Sequence, residues 1–457
     1  MQNQQLKKII YVPVQHVTRD LASRLLLAKA AMNSGWNVML VKSRWLIENI
    51  EKVPLGVVFF GTSPTVIDSV KKIKAAGHYY VAECDEAGMW NKKRYLTFKA
   101  ALPNLYLADL YLAWGERHAS LIAERYDATP IVITGSPRID LSLSDSRLYE
   151  GLTRKINEKH GRYILISSNG LTPLSRYSSN DIGNIARHLA NLFPGMSYAE
   201  YQNSFREFFE NGEKFWNAIK KIIKSNRNVN FLYRPRFGDD IQKTREELSN
   251  FSNVEIVESG SINPFLMAAE GVIHQNCTSG LEAAVMGRPT IDYSPIKLSY
   301  PFAVAVDALP AAASAEDVDR FVKRIWHGAE TEKYIAPRKS LAKYIKNISS
   351  DVSASQKIVD ILDARFKEER LINVDLKFFR DIDQTANAYS FNKINSGWVR
   401  FKRLAKKIII GQHNNAQYHE SLSAHSIQLY AYDMGIAANL SVNEVCPGKS
   451  YFLAGRS

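Results

Sequence analysis

One stretch decides the fold: Val272-Ile-His-Gln-Asn-Cys-Thr-Ser-Gly-Leu-Glu-Ala-Ala-Val-Met-Gly-Arg-Pro-Thr-Ile291. Its apolar start predicts a short strand, its polar middle a turn and a helix start, and Gly287-Arg288-Pro289 a break before a second strand. Ser279 can cap the helix, and Glu282 follows three residues later, at capping-box spacing. Because a helix N-terminus presents unpaired N–H groups and a partial positive charge, the stretch suits a bound phosphate. The alternative is one more αβ unit of a large α/β protein, with His274 a satisfied polar residue.

The residues before this stretch predict two α/β domains in series. Strand and helix patterns alternate from the start, with strands expected at 8–14, 37–41, 56–60, 78–82, 110–114 and 131–134 and helices at 20–33, 63–76 and 116–126. This alternation is typical of an open parallel sheet covered by helices on both faces. It predicts an N-terminal Rossmann-like domain over 1–150.

The alternation restarts after a polar segment at 141–162, which we interpret as a linker. Strands are expected at 163–167, 231–233, 254–256 and 271–274, with a long helical region at 178–225, a short helix at 264–269 and a further helix at 315–325. We therefore predict a second Rossmann-like domain over 151–348. In doubly wound sheets ligands lie beyond the carboxyl ends of the strands, so the chemistry is expected between the two domains.

The remaining segment, 349–457, is predicted to contain a closing helix at 349–367 and a basic extension. Residues 397–410 carry five Lys or Arg side chains and no acid, and their pattern is amphipathic. Such a helix can lie on an anionic membrane surface. The alternative is a solvated helix that packs on the body of the protein through Trp398, Phe401 and Leu404.

Composition limits the class of protein. The chain has 457 residues, of which 46% are hydrophobic and 23% charged, as in a soluble globular protein. Cys84, Cys277 and Cys446 fit neither a zinc pattern nor a disulfide framework, which favours a reducing cytosol. No signal-peptide pattern is present, and no window approaches 18 consecutive apolar residues. We expect a cytoplasmic protein, peripheral at the inner face of a bacterial membrane if the basic segment binds lipid.

The net charge of +13 suits nucleic acid, anionic lipid or phosphorylated substrates. Nucleic-acid modules and aromatic-basic repeats are absent from the sequence, so we predict no nucleic-acid partner. The P-loop, the Gly-x-Gly-x-x-Gly loop, the Gly-x-Ser-x-Gly elbow and metal-ligand spacings are also absent, which argues against ATPases, Rossmann dehydrogenases and α/β-hydrolases. We expect neither a metal nor a cofactor.

Polar side chains collect where the predicted strands end. Asp85 and Glu86 follow a first-domain strand, where a carboxylate can deprotonate an acceptor hydroxyl; a helix cap or a solvated loop charge is the alternative. Arg234 and Arg236 follow a second-domain strand, and their guanidinium groups suit phosphate or carboxylate, unless Asp239 and Asp240 neutralise them. The other polar residues expected at the second-domain strand ends are Ser168, Asn169, His274, Asn276, Thr278 and Ser279.

The segment Gly135-Ser-Pro-Arg-Ile-Asp140 follows the last predicted strand of the first domain. It is typical of an interdomain turn, in which proline fixes the path of the chain and the Arg138–Asp140 pair braces it.

The opening stretch resembles the donor-site signature of glycosyltransferases of the GT-B fold. These enzymes carry a His-x-Gly-x-x-Ser-x-x-Glu-Ala run before a Gly-x-Pro turn. The chain keeps His274, Ser279, Glu282, Ala283, Gly287 and Pro289 at that spacing. Asn276 stands where the pattern has glycine. In the retaining Glu-x7-Glu pattern, His274 takes the place of the first glutamate and Glu282 matches the second.

A closer resemblance, over residues 8–300, is to bacterial surface carbohydrate biosynthesis proteins. The matching blocks are Thr18-Arg-Asp-Leu21, Cys84-Asp-Glu-Ala-Gly88, Gly135 to Asp140, Arg234-Pro235 and His274 to Pro289. One departure is Arg-Pro-Arg-Phe at 234–237, where the related pattern has Arg-Pro-His-Pro.

The two resemblances imply a metal-independent glycosyltransferase of surface polysaccharide assembly, such as capsule or lipopolysaccharide. The second domain, 151–348, would bind the donor, a nucleotide sugar, for which we suggest a CMP-linked ulosonic acid such as CMP-Kdo. The first domain, 1–150, would bind the acceptor, a glycan or a lipid-linked glycan. Thr278 and Ser279 would donate to phosphate, Arg234 and Arg236 would offset its charge, and Glu282 would hold the helix start or bind a ribose or sugar hydroxyl. Asp85 or Glu86 would activate the acceptor.

Three alternatives stay open at this point. A glycerophosphotransferase acting on CDP-glycerol and a nucleotide-sugar epimerase share the predicted fold. A non-catalytic partner in a polysaccharide assembly complex would belong to a different class of protein.

Overall fold

The computed structural model describes most of the chain. The described residues are 8–14, 17–61, 67–84, 105–124, 128–143, 148–168, 179–192, 196–236, 239, 241–258, 260–296, 298, 308–366, 440–446 and 450–455. They form two sheets, each built mainly of parallel strands and covered by helices.

The first sheet takes its parallel strands from the N-terminal part of the chain. These strands are β1 (Ile9–Val14), β2 (Asn37–Lys42), β3 (Val57–Gly61), β4 (Tyr79–Glu83), β5 (Leu110–Ala113) and β6 (Ile131–Ile133). The helices between and after them are α1 (Val17–Asn33), α2 (Ser43–Asn49), α3 (Ile67–Ala75), α4 (Glu116–Ala123) and α5 (Pro137–Asp140), with a 3₁₀ turn at Leu105–Leu107. The parallel strands lie in the order β2-β1-β3-β4-β5-β6.

Both faces of this sheet are covered. Every residue of β1 is buried. Ile10 and Val12 join the apolar core that contains α1, whereas Ile9 and Tyr11 join the core on the other face. Successive strand residues point to opposite faces, so this uninterrupted apolar run is what a sheet with helices on both sides requires.

The second sheet follows the same principle with a different strand order. Its strands are β7 (Ile164–Ser167), β8 (Phe231–Arg234), β9 (Val254–Ile256), β10 (Gly271–His274), β11 (Thr290–Tyr293) and β12 (Ala311–Ala312). Its helices are α6 (Glu150–His160), α7 (Ser179–Leu192), α8 (Tyr198–Ser225), α9 (Ile241–Leu248), α10 (Asn263–Ala268), α11 (Thr278–Val285), α12 (Ala315–Trp326), α13 (Arg338–Leu341) and α14 (Ala354–Arg365), with 3₁₀ turns at Thr331–Tyr334 and Lys346–Ser349. The strand order is β12-β11-β10-β7-β8-β9, the doubly wound order of a dinucleotide-binding sheet.

These strand orders confirm the predicted fold class, two Rossmann-like α/β units in series in a GT-B-like arrangement. The domain boundaries at 150 and 348 stay predictions. The basic segment at 397–410 lies outside the described residues. Among the helices of the described ranges, none combines the length and the apolar character needed to cross a membrane.

The interpretation of 141–162 as a linker was wrong for its second half. Residues Glu150–His160 form α6, whose buried Ile156 packs with Phe265 of α10 in one apolar cluster. The helix is polar over most of its surface, so the high proportion of charged residues masked its single apolar stripe. The long helical region is two helices, because Ser197 and Glu200 form a capping box that starts α8.

The end of the chain returns to the first sheet. Helix α14 packs on α1, and the Asp363 carboxylate accepts hydrogen bonds from Trp36 Nε1 at 2.8 Å and from Lys8 Nζ at 3.3 Å. A hairpin of β13 (Leu440–Cys446) and β14 (Ser450–Gly455) adds two strands, with β14 antiparallel to β2. The closing helix and basic extension expected over 349–457 did not include this hairpin.

An apolar core joins the two domains. Trp114 and Ile139 from the first domain pack with Leu281 and Val285 of α11, and with side chains from 309–348. Gly115 lies so close to the backbone of Tyr344 that an added Cβ would stand 2.6 Å from its carbonyl oxygen. Helix α11 therefore packs on the second sheet and also forms part of the junction between the domains.

Candidate functional site

The site is defined by the point where the strand order of the second sheet reverses. Strands β7 and β10 are adjacent there, and His274 pairs with Ser167 in their parallel register. In open α/β sheets the ligand binds beyond the carboxyl ends of the strands that flank this switch point. Ser168 leaves β7 and the 275–277 turn leaves β10 at this edge. The structure thus brings together Ser168 and the predicted residues of the opening stretch.

Buried hydroxyl groups line the ends of these strands. Ser279 Oγ donates to Ser167 Oγ at 2.9 Å, which links the start of α11 to β7. Ser168 Oγ lies 3.2 Å from the hydroxyl of Tyr233, and that hydroxyl donates to Asp239 Oδ2 at 3.2 Å. All of these side chains are buried, so they fix the shape of the strand ends.

The start of α11 differs from the prediction. The N-cap is Cys277, in extended conformation at φ −117° and ψ 148°, and no side chain caps the helix. The expected capping box of Ser279 and Glu282 is therefore wrong, because Ser279 bonds to Ser167 and Glu282 forms an ion pair elsewhere. A helix start without a side-chain cap has backbone N–H groups to offer an anion, and Thr278 occupies its first position.

Asn276 shapes the turn before α11. Its φ of 48° lies in the left-handed region. Asparagine adopts this conformation more readily than most residues, so it substitutes here for the glycine of the glycosyltransferase pattern. The Asn276 N–H donates to Asp292 Oδ1 at 2.7 Å. Asp292, at the end of β11, is a site residue that the sequence reasoning missed; its only signal was an acid at a predicted strand end.

His274 lies under α11. Its side chain is 2% exposed, and a Cβ added to Gly280 would stand 2.3 Å from its Nε2. Glycine at position 280 is therefore required for the start of α11 to pack against the imidazole of His274. Neither ring nitrogen has a hydrogen-bond partner among the described residues, so the interpretation of His274 as a satisfied polar residue was wrong.

The charge state of His274 follows from its surroundings. Burial lowers its pKa, and the Asp292 carboxylate, 3.4 Å from Nδ1, opposes that effect. With burial as the larger influence, the ring is neutral near pH 7.

The two arginines at the end of β8 differ in exposure. Arg234 is 9% exposed; it donates to the carbonyl oxygens of Val257, at 3.3 Å, and of Gly260, and so holds the loop after β9. Arg236 is exposed, and its backbone N–H donates to Asp239 Oδ2 at 2.7 Å. A phosphate-binding role for either side chain stays a prediction.

The predicted interdomain turn makes its contacts with the second domain. Ser136 caps α5 by accepting from the Arg138 N–H at 3.3 Å. Arg138 Nε donates to Glu282 Oε1 at 2.7 Å, and the Asp140 carboxylate accepts from the N–H groups of Ala354 and Ser355 at 2.8 Å each. The arginine and the aspartate therefore brace the turn through separate partners, one on α11 and one on α14.

The first domain contributes a charged cluster at its own sheet edge. Glu83, at the end of β4, forms a buried ion pair with Arg24 of α1, and Arg19 pairs with the buried Asp20. Asp85, Glu86, Asn169 and Asp240 lie outside the described residues. Across the described ranges, no group of three or more His, Cys, Asp or Glu side chains could hold a metal ion.

Comparisons with known proteins find similar structures only. No protein-family model and no curated protein sequence matches the chain. The S. aureus MnaA–UDP co-structure is 14% identical over 80% of this chain and 99% of that chain, with a TM-score of 0.48. Methanocaldococcus jannaschii UDP-GlcNAc 2-epimerase in complex with UDP-GlcNAc and UDP is 14% identical over 78% and 99%, with a TM-score of 0.49. The wall teichoic acid polymerase TagF is 10% identical over 80% and 91%, with a TM-score of 0.46. The fold assignment rests on the strand orders of this chain.

Proposed function

We propose that this chain is a glycosyltransferase of bacterial surface polysaccharide assembly that binds a nucleotide sugar at the carboxyl edge of the second sheet. The observation that carries the proposal is the switch point between β7 and β10. An uncapped helix start, a left-handed turn at Asn276 and buried hydroxyl groups converge there. The sequence blocks that resemble surface carbohydrate biosynthesis proteins support the choice of substrate class.

The phosphate of the donor would bind at the first turn of α11. The backbone N–H groups of Thr278 and Ser279 face a position where the helix dipole favours negative charge. The neutral imidazole of His274 lies beneath this turn, so the attraction for phosphate would come from the helix start and not from this side chain. The site needs no metal in this proposal, because fixed dipoles stabilise the phosphate that leaves.

The acceptor would lie against the first domain. Asp85 or Glu86 would take the proton of an acceptor hydroxyl, the oxygen would bond to the anomeric carbon, and the bond to the donor phosphate would break with its electron pair. If either residue is the base, Asp85→Ala or Glu86→Ala should lower the transfer rate about 100-fold or more. Near-wild-type transfer in both variants would refute this assignment of the base.

A thermal-shift screen with CMP, CDP, UDP and GDP tests the donor site. A ligand that binds only the folded protein raises its melting temperature, so we expect one nucleotide to give a clear shift. A shift with CMP would support the CMP-linked donor, whereas a shift with CDP would direct assays to CDP-glycerol. No shift with any of the four nucleotides would contradict the proposal and favour a scaffold role.

Cys277 offers an independent test of the location. Its side chain is partly exposed at the N-cap of α11, whereas Cys84 is buried. The nucleotide that raises the melting temperature should protect Cys277 from labelling with a maleimide. Peptide mass spectrometry measures the extent of labelling. Unchanged labelling of Cys277 at saturating nucleotide would place the binding site elsewhere.

Activity assays separate transfer from the alternatives that share the fold. Transfer predicts donor consumption only when an acceptor glycan is present. Turnover of a nucleotide sugar without acceptor, to a product that keeps the nucleotide, would identify an epimerase instead.

A further inference from the structure

One segment at the junction between the domains carries only positive charge. Residues 335–350 contain no aspartate or glutamate, and their four basic side chains are all exposed: Arg338, Lys339, Lys343 and Lys346. The first three form no ion pair with a carboxylate of the described residues. Exposed lysines elsewhere in the chain, such as Lys214 and Lys323, pair with an acid one turn away. The positive charge of this segment is therefore not offset locally, and it raises the potential outside it.

The packing of the segment holds its cations on the outside. Between the cations lie apolar residues that are buried in the core of the junction: Leu341, Tyr344, Ile345 and Ile348. The Lys346 N–H donates to the carbonyl oxygen of Trp114 at 2.7 Å. Arg338 Nη2 donates to the carbonyl oxygen of Ile348 at 3.4 Å, which joins the start of the segment to its end. One face is thus fixed to the body of the protein, and the exposed face carries the charges.

The first domain adds a fifth cation. The guanidinium group of Arg117, in the first turn of α4, lies 4.8 Å from the centre of the Tyr344 ring. Because Tyr344 is buried in the segment, this contact places Arg117 beside the other four cations. We call Arg117 and residues 335–350 the junction basic surface. It takes its charges from both sides of the core that joins the domains.

Two exposed apolar side chains flank the cations. Ile335 is 37% exposed and Val352 is 43% exposed, and they are two of the four large apolar residues that are exposed in the described part of the chain. A bilayer that contains anionic lipid attracts lysine and arginine, and it takes up apolar side chains at the boundary of its headgroups. Single-stranded nucleic acid would instead call for exposed aromatic rings, and Tyr344, the one aromatic residue of 335–350, is buried.

We propose that the junction basic surface is a docking site for the anionic surface of a lipid bilayer. In the docked state its lysine and arginine side chains lie near the lipid headgroups, and Ile335 and Val352 enter the boundary between headgroups and acyl chains. The surface is separate in sequence from the basic segment at 397–410, and the test distinguishes the two. The inference does not rest on the proposed nucleotide site, so either can fail without the other.

Vesicle sedimentation with the full chain tests the docking site. Vesicles of phosphatidylcholine alone are compared with vesicles in which about one third of the lipid is phosphatidylglycerol. We expect the wild type to bind only the anionic vesicles, and to bind them less tightly at about 0.5 M than at about 0.1 M salt, because salt screens the attraction. Lys339→Gln/Lys343→Gln should lower the partition coefficient about 25-fold, since each lysine near an anionic surface contributes about fivefold.

A matched control removes the same charge from another surface. Lys221 and Lys224 are both exposed on α8. The partition coefficient of Lys221→Gln/Lys224→Gln should stay within about twofold of the wild-type value, because charges beyond a Debye length are screened. Ile335→Ser should weaken binding about threefold or more at both salt concentrations, since salt does not screen an apolar contact. Thermal melts check that each variant is folded.

Three results would overturn the inference and leave the nucleotide site untouched. One is a wild type that does not bind the anionic vesicles. Another is a Lys339→Gln/Lys343→Gln variant that binds them as tightly as the wild type; loss of binding in Lys402→Gln/Lys406→Gln would then assign the lipid contact to 397–410. The third is single-stranded RNA that displaces the wild type from the vesicles and binds less tightly to Lys339→Gln/Lys343→Gln, which would make the surface a nucleic-acid site.

Discussion

At the scale of single residues, the candidate site depends on two positions. One needs a residue that tolerates a left-handed backbone, and the other needs a residue without a side chain. Asn276 takes a left-handed conformation, and Gly280 leaves room for the imidazole of His274. Both lie within four residues of the helix start that would hold phosphate. The backbone conformation at Asn276 and the close packing at Gly280 therefore limit which substitutions the turn accepts.

Asn276 gives a prediction with an internal comparison. Asn276→Ala should lower the free energy of unfolding by about 1 kcal/mol, because alanine resists the left-handed region. Asn276→Gly should stay within about 1 kcal/mol of the wild type and keep nucleotide binding, since glycine adopts this conformation freely. Urea denaturation and the nucleotide thermal shift measure the two effects. Equal stability of the alanine and glycine variants would show that the turn is not strained.

The buried imidazole of His274 predicts a pH dependence of stability. Burial lowers the pKa of His274 in the folded state below the unfolded value of about 6.5. Between these two values the unfolded chain binds more protons, so the free energy of unfolding falls as pH falls below about 6.5. His78, also buried and with a lowered pKa, acts in the same direction.

The measurement is urea denaturation at several pH values between 5 and 7.5. His274→Gln should show a shallower loss of stability at the acid end than the wild type. His327→Gln, at an exposed position, serves as the control. An unchanged slope in His274→Gln would mean that the pKa of His274 is the same in the folded and unfolded states, and would contradict the prediction.

At the scale of elements, α14 is tied to the interdomain turn by one carboxylate. Asp140 is 4% exposed and accepts from two backbone N–H groups at the start of α14, from Ser355 Oγ and from Asn347. This helix packs on α1 of the first domain, so the aspartate fixes the crossing of the chain between the domains.

Asp140→Ala should therefore be strongly destabilising. Loss of a buried acceptor that satisfies several donors should cost about 3 kcal/mol of unfolding free energy. Asp360→Ala, an exposed aspartate on the same helix that bonds only to Gln356 among the described residues, is the matched control and should change stability little. Equal stability of the two variants, measured by urea denaturation, would refute the capping role of Asp140.

The strands and helices show which features could be predicted from local sequence patterns and which could not. Apolar runs such as 9–14 and 271–274 predicted their strands because burial on both faces leaves a local signature. The Arg138–Glu282 pair joins residues 144 positions apart and depends on how the domains meet, which no local pattern records. Helix α6 was missed because its one apolar stripe is outnumbered by charged residues, and Asp292 because an acid at a strand end is common.

At the scale of the whole molecule, the two domains are joined by an apolar core as well as by the chain that connects them. The core around Trp114, Ile139 and Leu281 spans both, and α14 crosses from one to the other. The proposed nucleotide site on α11 therefore borders the junction, and motion between the domains would displace the helix start that we propose as the phosphate site.

This shared core predicts cooperative unfolding. Differential scanning calorimetry of the full chain should show one transition, because exposing either domain also exposes the apolar core of the junction. The binding nucleotide should shift that transition as a unit. Asp140→Ala, which loosens the crossing helix, should broaden the transition or split it. Two resolved transitions in the wild type would show that the domains unfold independently.

The hairpin at the end of the chain has a consequence for biosynthesis. Val41 of β2 pairs with Ser450 of β14, so this edge of the first sheet is complete only when residues from a much later part of the chain have joined it. Such a distant contact is slow to form, because a long loop must close before the pairing stabilises it. During translation the edge of β2 stays open while the second domain is made, and an open strand edge is a template for aggregation. We therefore expect the nascent chain to depend on a ribosome-associated chaperone until β13 and β14 emerge.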